Sequence, residues 1–186
     1  MAERSSLVRL QAELDVVVDW VGYELHPETP PGGLPVAAVV RDAEAMSGYV
    51  RAFAAGFGIS DLVPPTRLAS TRRIHAVAQR ARDEGRLEAF RVAAYDAYWR
   101  RGRGLESDDE LAAVAREAGL DPGPAVAAAV DLAALARVDA ARREARAAGV
   151  TGVPTFDLGS ARIVGCQRYE VLADAARRAG ARRRAS

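Results

Sequence analysis

The strongest constraint on this chain is the contrast between its middle and its flanks. Residues 36–149 read as helix almost throughout, while β patterning is confined to residues 16–25 and 149–165. Apolar positions in the middle recur at helical spacing and are cut by glycine and proline, which predicts helices over 36–57, 68–84 and 86–101. The first two are separated by the turn Val63-Pro64-Pro65-Thr66, the second ends at Gly85, and the third ends in Gly102 and Gly104. Ser107-Asp108-Asp109-Glu110 has the form of a capping box, opening a helix that Gly119 stops. Asp121-Pro122 then caps helical sequence that runs, with a break near Asp131, to Ala148.

The flanks behave differently. Leu7, Leu10 and Leu14 predict a short amphipathic helix over residues 5–14, with Ser5 and Ser6 as caps. Residues 16–25 alternate, Val16, Val18, Trp20 and Gly22 against Val17, Asp19, Val21 and Tyr23, which is the pattern of a strand. Four prolines and two glycines make residues 26–35 a loop. Residues 149–165 form a hairpin about Gly159-Ser160, and residues 167–179 a closing helix. The order predicts an α/β fold with a small sheet, residues 1–35 and 149–186 forming one domain and 36–148 a helical insertion.

Composition removes several functions. A chain with 49% hydrophobic residues, 27% charged residues and a net charge of +1 has no electrostatic case for binding nucleic acid. It contains neither Lys nor Asn, so its arginine load reflects biased composition, and Arg177, Arg178, Arg182, Arg183 and Arg184 read as a solvated helix end. The single cysteine, Cys166, excludes an internal disulfide, a CxxC pair and a cysteine-rich zinc site. His26 and His75 stand apart, so neither a metal nor any other cofactor is expected. No apolar run approaches a bilayer span, and residues 1–20 lack the apolar centre of a secretory signal, which predicts a cytoplasmic protein.

The segment Gly149-Val150-Thr151-Gly152-Val153-Pro154-Thr155-Phe156, followed by a hairpin and a helix, resembles the C-terminal half of the thioredoxin fold. The resemblance extends to WVGYELHPETPPGG at 20–33, RARDEGRLEAF at 80–90, the run from Ala94 to Pro122, and IVGCQRYEVL at 163–172. Together these motifs resemble the DsbA-like family, in the branch of FrnE-type oxidoreductases related to 2-hydroxychromene-2-carboxylate isomerases. The likeness spans about residues 16–179 and implies a thioredoxin-like sheet interrupted by a large all-helical insertion. It further implies a cis bond before Pro154 and a substrate edge at Gly152, Val153 and Pro154. There the free main chain of Val153 would pair with an extended peptide or receive a small-molecule thiol.

The activity implied is dithiol–disulfide exchange through a CxxC motif at the start of the first helix, and here that motif is missing. The first strand of the fold is missing with it, and Glu3, Arg4, Ser5 and Ser6 stand at or just past its place. The expected explanation is a start placed too far downstream or a truncated gene. As written, the chain is expected to be inactive in exchange and, with two sheet edges open, to form a homodimer. A non-catalytic binding or assembly module is the alternative, and a glutathione-dependent isomerase or transferase acting through Ser5 or Ser6 a lesser one.

Other candidates have plainer readings beside the functional one. Cys166 is a candidate lone thiol near helix amides that would favour a thiolate, or a small apolar filler. Tyr95, Tyr98 and Trp99 line a groove or fill a core. His75 is read as a packing or surface residue and His26 as shaping its loop, while Arg72 and Arg73 either meet a carboxylated cofactor or sit on a solvated helix face.

Overall fold

The computed structural model describes residues 2–184. Helix α1 (Arg4–Glu13) turns Leu7 and Leu10 inward, with Leu14 just beyond its end, a spacing of three and four that keeps them on one stripe. That stripe packs on α9 (Tyr169–Arg178), whose Leu172, Ala173 and Ala176 complete a first core. The pair is also clamped at its surface, where the Tyr169 hydroxyl donates to Glu13 at 2.5 Å and Arg9 lies 3.7 Å from the centre of the Tyr169 ring. Strands β3 (Thr155–Leu158) and β4 (Ala161–Val164) form the predicted antiparallel hairpin, with Phe156 opposite Ile163 and both side chains packed on this core.

Residues 16–25 depart from the strand expected there. They alternate in burial, Val16, Val18 and Trp20 turned toward the α1–α9 core and Val17, Asp19 and Val21 outward, so the side-chain half of the strand pattern is realised. The ladder half is not, because among the described residues no strand runs beside them to accept and donate hydrogen bonds. A strand is defined by its neighbour, and the sequence of one edge cannot supply the other.

The helical block is built on a second core. Helices α4 (Arg72–Asp83), α5 (Leu87–Trp99), α6 (Asp108–Glu117) and α7 (Pro122–Ala128) enclose Ile74, Val77, Phe90, Leu111 and Val114. Helix α8 (Leu132–Ala147) joins it by packing Ala134 and Val138 on Ala76. Two caps read from the sequence are present, and the break expected near Asp131 is a third. Ser107 accepts from the Glu110 amide while Glu110 accepts from that of Ser107, Asp121 accepts from Gly123 at 3.0 Å, and Asp131 accepts from Ala134 at 2.8 Å.

Four local expectations are corrected. The helix expected over 36–57 is two, α2 (Val36–Val39) and α3 (Ala43–Ala55), because Asp42 starts a new helix by accepting from the Ala45 amide at 2.8 Å. The helix expected from residue 68 begins at Arg72, since Leu34–Pro35 (β1) and Arg67–Leu68 (β2) pair as a two-residue antiparallel ladder within a block that read as strand-free. Gly33, at φ 67°, makes that approach feasible: a Cβ there would stand 2.4 Å from the Leu68 carbonyl oxygen. Ser5 and Ser6 do not cap α1, whose cap position is Glu3, but lie inside its first turn. The arginine tail divides: Arg177 and Arg178 are exposed in the last turn of α9 as expected, whereas past the helix end Leu14 bridges Arg183 and the Asp15 amide donates to the Arg182 carbonyl at 2.9 Å.

The capping box also supports a loop junction, since neighbouring Glu106 accepts from the Gly32 and Ser70 amides at 2.6 and 2.8 Å. Replacing Ser107 with Ala is expected to lower the unfolding free energy by about 1 kcal/mol. Urea denaturation followed by circular dichroism measures this, and an unchanged midpoint would show that the box adds nothing.

Candidate functional site

The features picked out in the sequence meet at the N-terminal end of α1. The Val153–Pro154 peptide bond is cis. The Pro154 carbonyl accepts from the Gly165 amide at 2.8 Å, which holds the loop before β3 against the turn after β4. The Thr155 hydroxyl donates to the Gly152 carbonyl at 2.7 Å and closes the same loop. Val153 is 49% exposed, and its own amide and carbonyl carry no hydrogen bond among the described residues. A main-chain donor and acceptor are therefore unclaimed at the open end of the hairpin, just ahead of β3.

Cys166 follows Gly165 and is half-buried. Its thiol donates to Glu3 Oε2 at 3.4 Å, across from the first turn of α1. Burial, reinforced by the Glu3 carboxylate, pushes the Cys166 thiol up to about 11. This is the opposite of the helix-amide environment expected for a thiolate: a buried carboxylate at 3% exposure repels the negative charge that reactivity needs.

Beside this pair lies a cleft of about 380 Å³ between α1 and α5, walled by Ser5, Val8, Phe57, Ile59 and Tyr95 with Arg4 at its lip. The Arg91 guanidinium lies 3.5 Å from the Trp20 ring centre and 5.6 Å from that of Tyr95, so three side chains stack between the extended segment and α5. Burial holds the Tyr95 hydroxyl above its ordinary range. Of the three aromatic candidates only Tyr95 reaches the cleft. Tyr98 donates to the Arg67 carbonyl at 3.0 Å and packs on the helical core, and Trp99 meets it edge-on at 5.1 Å.

The remaining candidates are structural. His75 is packed against the extended segment, where a Cβ on Gly22 would stand 2.7 Å from its Nδ1. Burial lowers its pKa to about 4, partly offset by a hydrogen bond with the Tyr23 main chain. His26 is exposed beside Glu28 at 3.2 Å, as a loop residue should be. Arg72 and Arg73 are not on a solvated face. Arg72 makes a two-pronged pair with Asp139 at 2.7 and 2.8 Å and reaches Glu24 at 3.4 Å, while Arg73 engages the Glu106 carbonyl and Asp108. Among the described residues no cluster of His, Cys, Asp or Glu could hold a metal ion, and no helix is long and apolar enough to cross a membrane.

The residues that sequence reasoning missed are Glu3 as the partner of Cys166, the Arg91–Trp20 stack, and the Phe57 and Ile59 wall. Trp20 and Tyr95 were visible as aromatics, but nothing local couples them across 75 positions to one arginine.

A family model described as the DSBA-like thioredoxin domain matches residues 2–177. The chain belongs to the DSBA-like thioredoxin domain family. This DSBA-like chain superposes on the crystal structure of a probable DsbA oxidoreductase from Streptomyces coelicolor with a TM-score of 0.83 and 27% identity. That match covers 96% of this chain and 83% of the other. It also resembles a 2-hydroxychromene-2-carboxylate isomerase, at a TM-score of 0.64 and 25% identity, over 74% of this chain and 69% of that one. No curated protein matches it. The DSBA-like fold is thus thioredoxin-like with a helical insertion, and its CxxC pair is absent from the 186 residues.

Two outcomes test this site. At pH 8 a thiol with a pKa of about 11 is roughly 0.1% ionised, so Cys166 should alkylate at least about 100-fold more slowly than free cysteine, and Glu3→Gln should speed it. Iodoacetamide kinetics followed by mass spectrometry decide the matter, fast wild-type labelling counting against the assigned environment. For His75 the folded pKa lies below the unfolded one, so the unfolded chain binds the extra proton between about pH 6.5 and 4. Stability from this residue is complete above pH 6.5 and falls as pH drops toward 4, by up to about 3 kcal/mol. His75→Asn should flatten that part of the stability profile in denaturant titrations at stepped pH.

Proposed function

We propose that this DSBA-like chain holds an extended polypeptide segment at Gly152, Val153 and Pro154 and does not itself turn over disulfides. The observation that carries the reading is the unpaired amide and carbonyl of exposed Val153 beside a thiol that is held protonated. An extended chain laid antiparallel on Val153 gains two main-chain hydrogen bonds, the mode by which sheets accept an added strand. Exchange would demand a thiolate to attack and a second sulfur to resolve the mixed disulfide. Cys166 offers neither, since Glu3 opposes its ionisation and the sequence contains no other cysteine.

The likeness to a probable DsbA oxidoreductase favours a second reading, a working thiol–disulfide oxidoreductase that also accepts small-molecule thiols. With one thiol in the sequence, that activity would pass through Cys166 and vanish in Cys166→Ser. A glutathione-dependent isomerase or transferase draws support only from the second structural neighbour and from Ser5 in the cleft wall. The lone unpaired thiol supports a cytoplasmic address.

Two assays separate these. Insulin reduction by the 186-residue chain is expected at the uncatalysed rate, unchanged in Cys166→Ser. A fluorescently labelled extended peptide is expected to bind, and N-methylation at the residue paired with Val153 to weaken it about threefold, the worth of the one main-chain hydrogen bond whose donor is removed, at about 0.7 kcal/mol. Turnover of insulin above background, or binding indifferent to N-methylation, would overturn the reading.

A further inference from the structure

Helix α3 carries a surface that nothing in the peptide-binding reading uses. Met46, Tyr49 and Phe53 recur at spacings of three and four, and Phe57 continues the row beyond the helix end. The three aromatic rings form a ladder, Tyr49 to Phe53 at 6.3 Å between centres and Phe53 to Phe57 at 5.2 Å. A stripe of this kind normally points into a core. Here it faces water: Tyr49 is 67% exposed, Phe53 42% and Met46 41%, and Ala54 is the only buried residue of the helix. Its charged residues, Glu44 and Arg51, stand seven apart on a row separate from the aromatic one, so the stripe itself carries no charge.

We propose that this stripe seats the same stripe of a second copy of the chain, the two α3 helices packed antiparallel. Two features of the stripe select that occupant. The first is the lack of charge, which leaves nothing to attract an ionic partner and nothing to repel an identical one. The second is size. An antiparallel crossing that sets Tyr49 against Phe53 of the second copy as a central aromatic pair also sets Met46 against its Gly56 and Ala45 against its Phe57, so the flanking bulky groups meet small ones.

The area suffices. With about 150–250 Å² on each aromatic, the exposed parts of Met46, Tyr49 and Phe53 offer on the order of 300 Å² per copy. The alanines and Val50 between them bring the pair of surfaces to roughly 1,000 Å², the lower bound of a specific interface. Because Phe57 also walls the cleft beside α1, the second copy fixes one side of that cleft.

Sedimentation velocity on the full chain, from about 1 to 100 µM, is expected to show a monomer–dimer equilibrium with a Kd in the micromolar range. Tyr49→Glu and Phe53→Glu should each raise that Kd at least about 30-fold, with helical content and thermal midpoint unchanged because both positions are solvent-facing. Met46→Glu serves as a further disruptor should either variant lose helix content. Val17→Glu, on the open edge of the extended segment, should leave the dimer intact. A wild-type chain monomeric at 100 µM overturns the proposal, as does a dimer that survives the α3 variants or that Val17→Glu dissociates.

Discussion

A carboxylate with 2% of its side chain exposed needs a cation, and the way Glu24 obtains one organises the molecule. Arg72 reaches Glu24 from the start of α4 while gripping Asp139 on α8 with both prongs of its guanidinium. One side chain thus fastens the extended segment to two helices of the block. Arg82, three turns along α4, holds Asp19 at 2.7 Å and the Trp20 carbonyl. The segment that lacks a strand partner is therefore tied along its length by side chains from α4. That is why its main-chain geometry stays extended without a ladder.

The same helix explains how the two cores share one body. Ile74, Val77 and Ala81 on its inner stripe belong to the helical core, while Arg72 and Arg82 reach the extended segment of the thioredoxin-like part. Truncating an inner residue would loosen the block, but removing Arg72 would leave the buried Glu24 without its ion-pair partner, which is the more damaging kind of change in a low-dielectric setting. The cleft, Cys166 and the Val153 edge lie at the seam between these parts, where α1, α5 and the hairpin loop converge.

Much of this was legible from local signals. Ser107 and Asp121 announced two helix starts, Asp131 a break, and Gly159-Ser160 the hairpin, because caps and tight turns are decided by a few neighbouring residues. Asp42 carried the same signal for α3, but it sat inside a continuous helical pattern and was absorbed by it. The ladder missing from residues 16–25 and the pairing of Leu34 with Leu68 depend on remote partners, which periodicity does not encode. At the site, the Pro154 loop could be read from its motif. The raised pKa of Cys166 could not, because it is set by burial and by Glu3, 163 positions away.

The extended segment has one more consequence. Val16-Val17-Val18-Asp19-Trp20-Val21 is a six-residue run of strand formers with no proline, its outer valines 91% and 62% exposed and its amides largely unclaimed. Asp19 is the sole charge in the run, and its contact with Arg82 half-neutralises it. That lone acid is the gatekeeper against stacking of such segments into fibrils, which makes this stretch the place where crowding would bring two chains edge to edge.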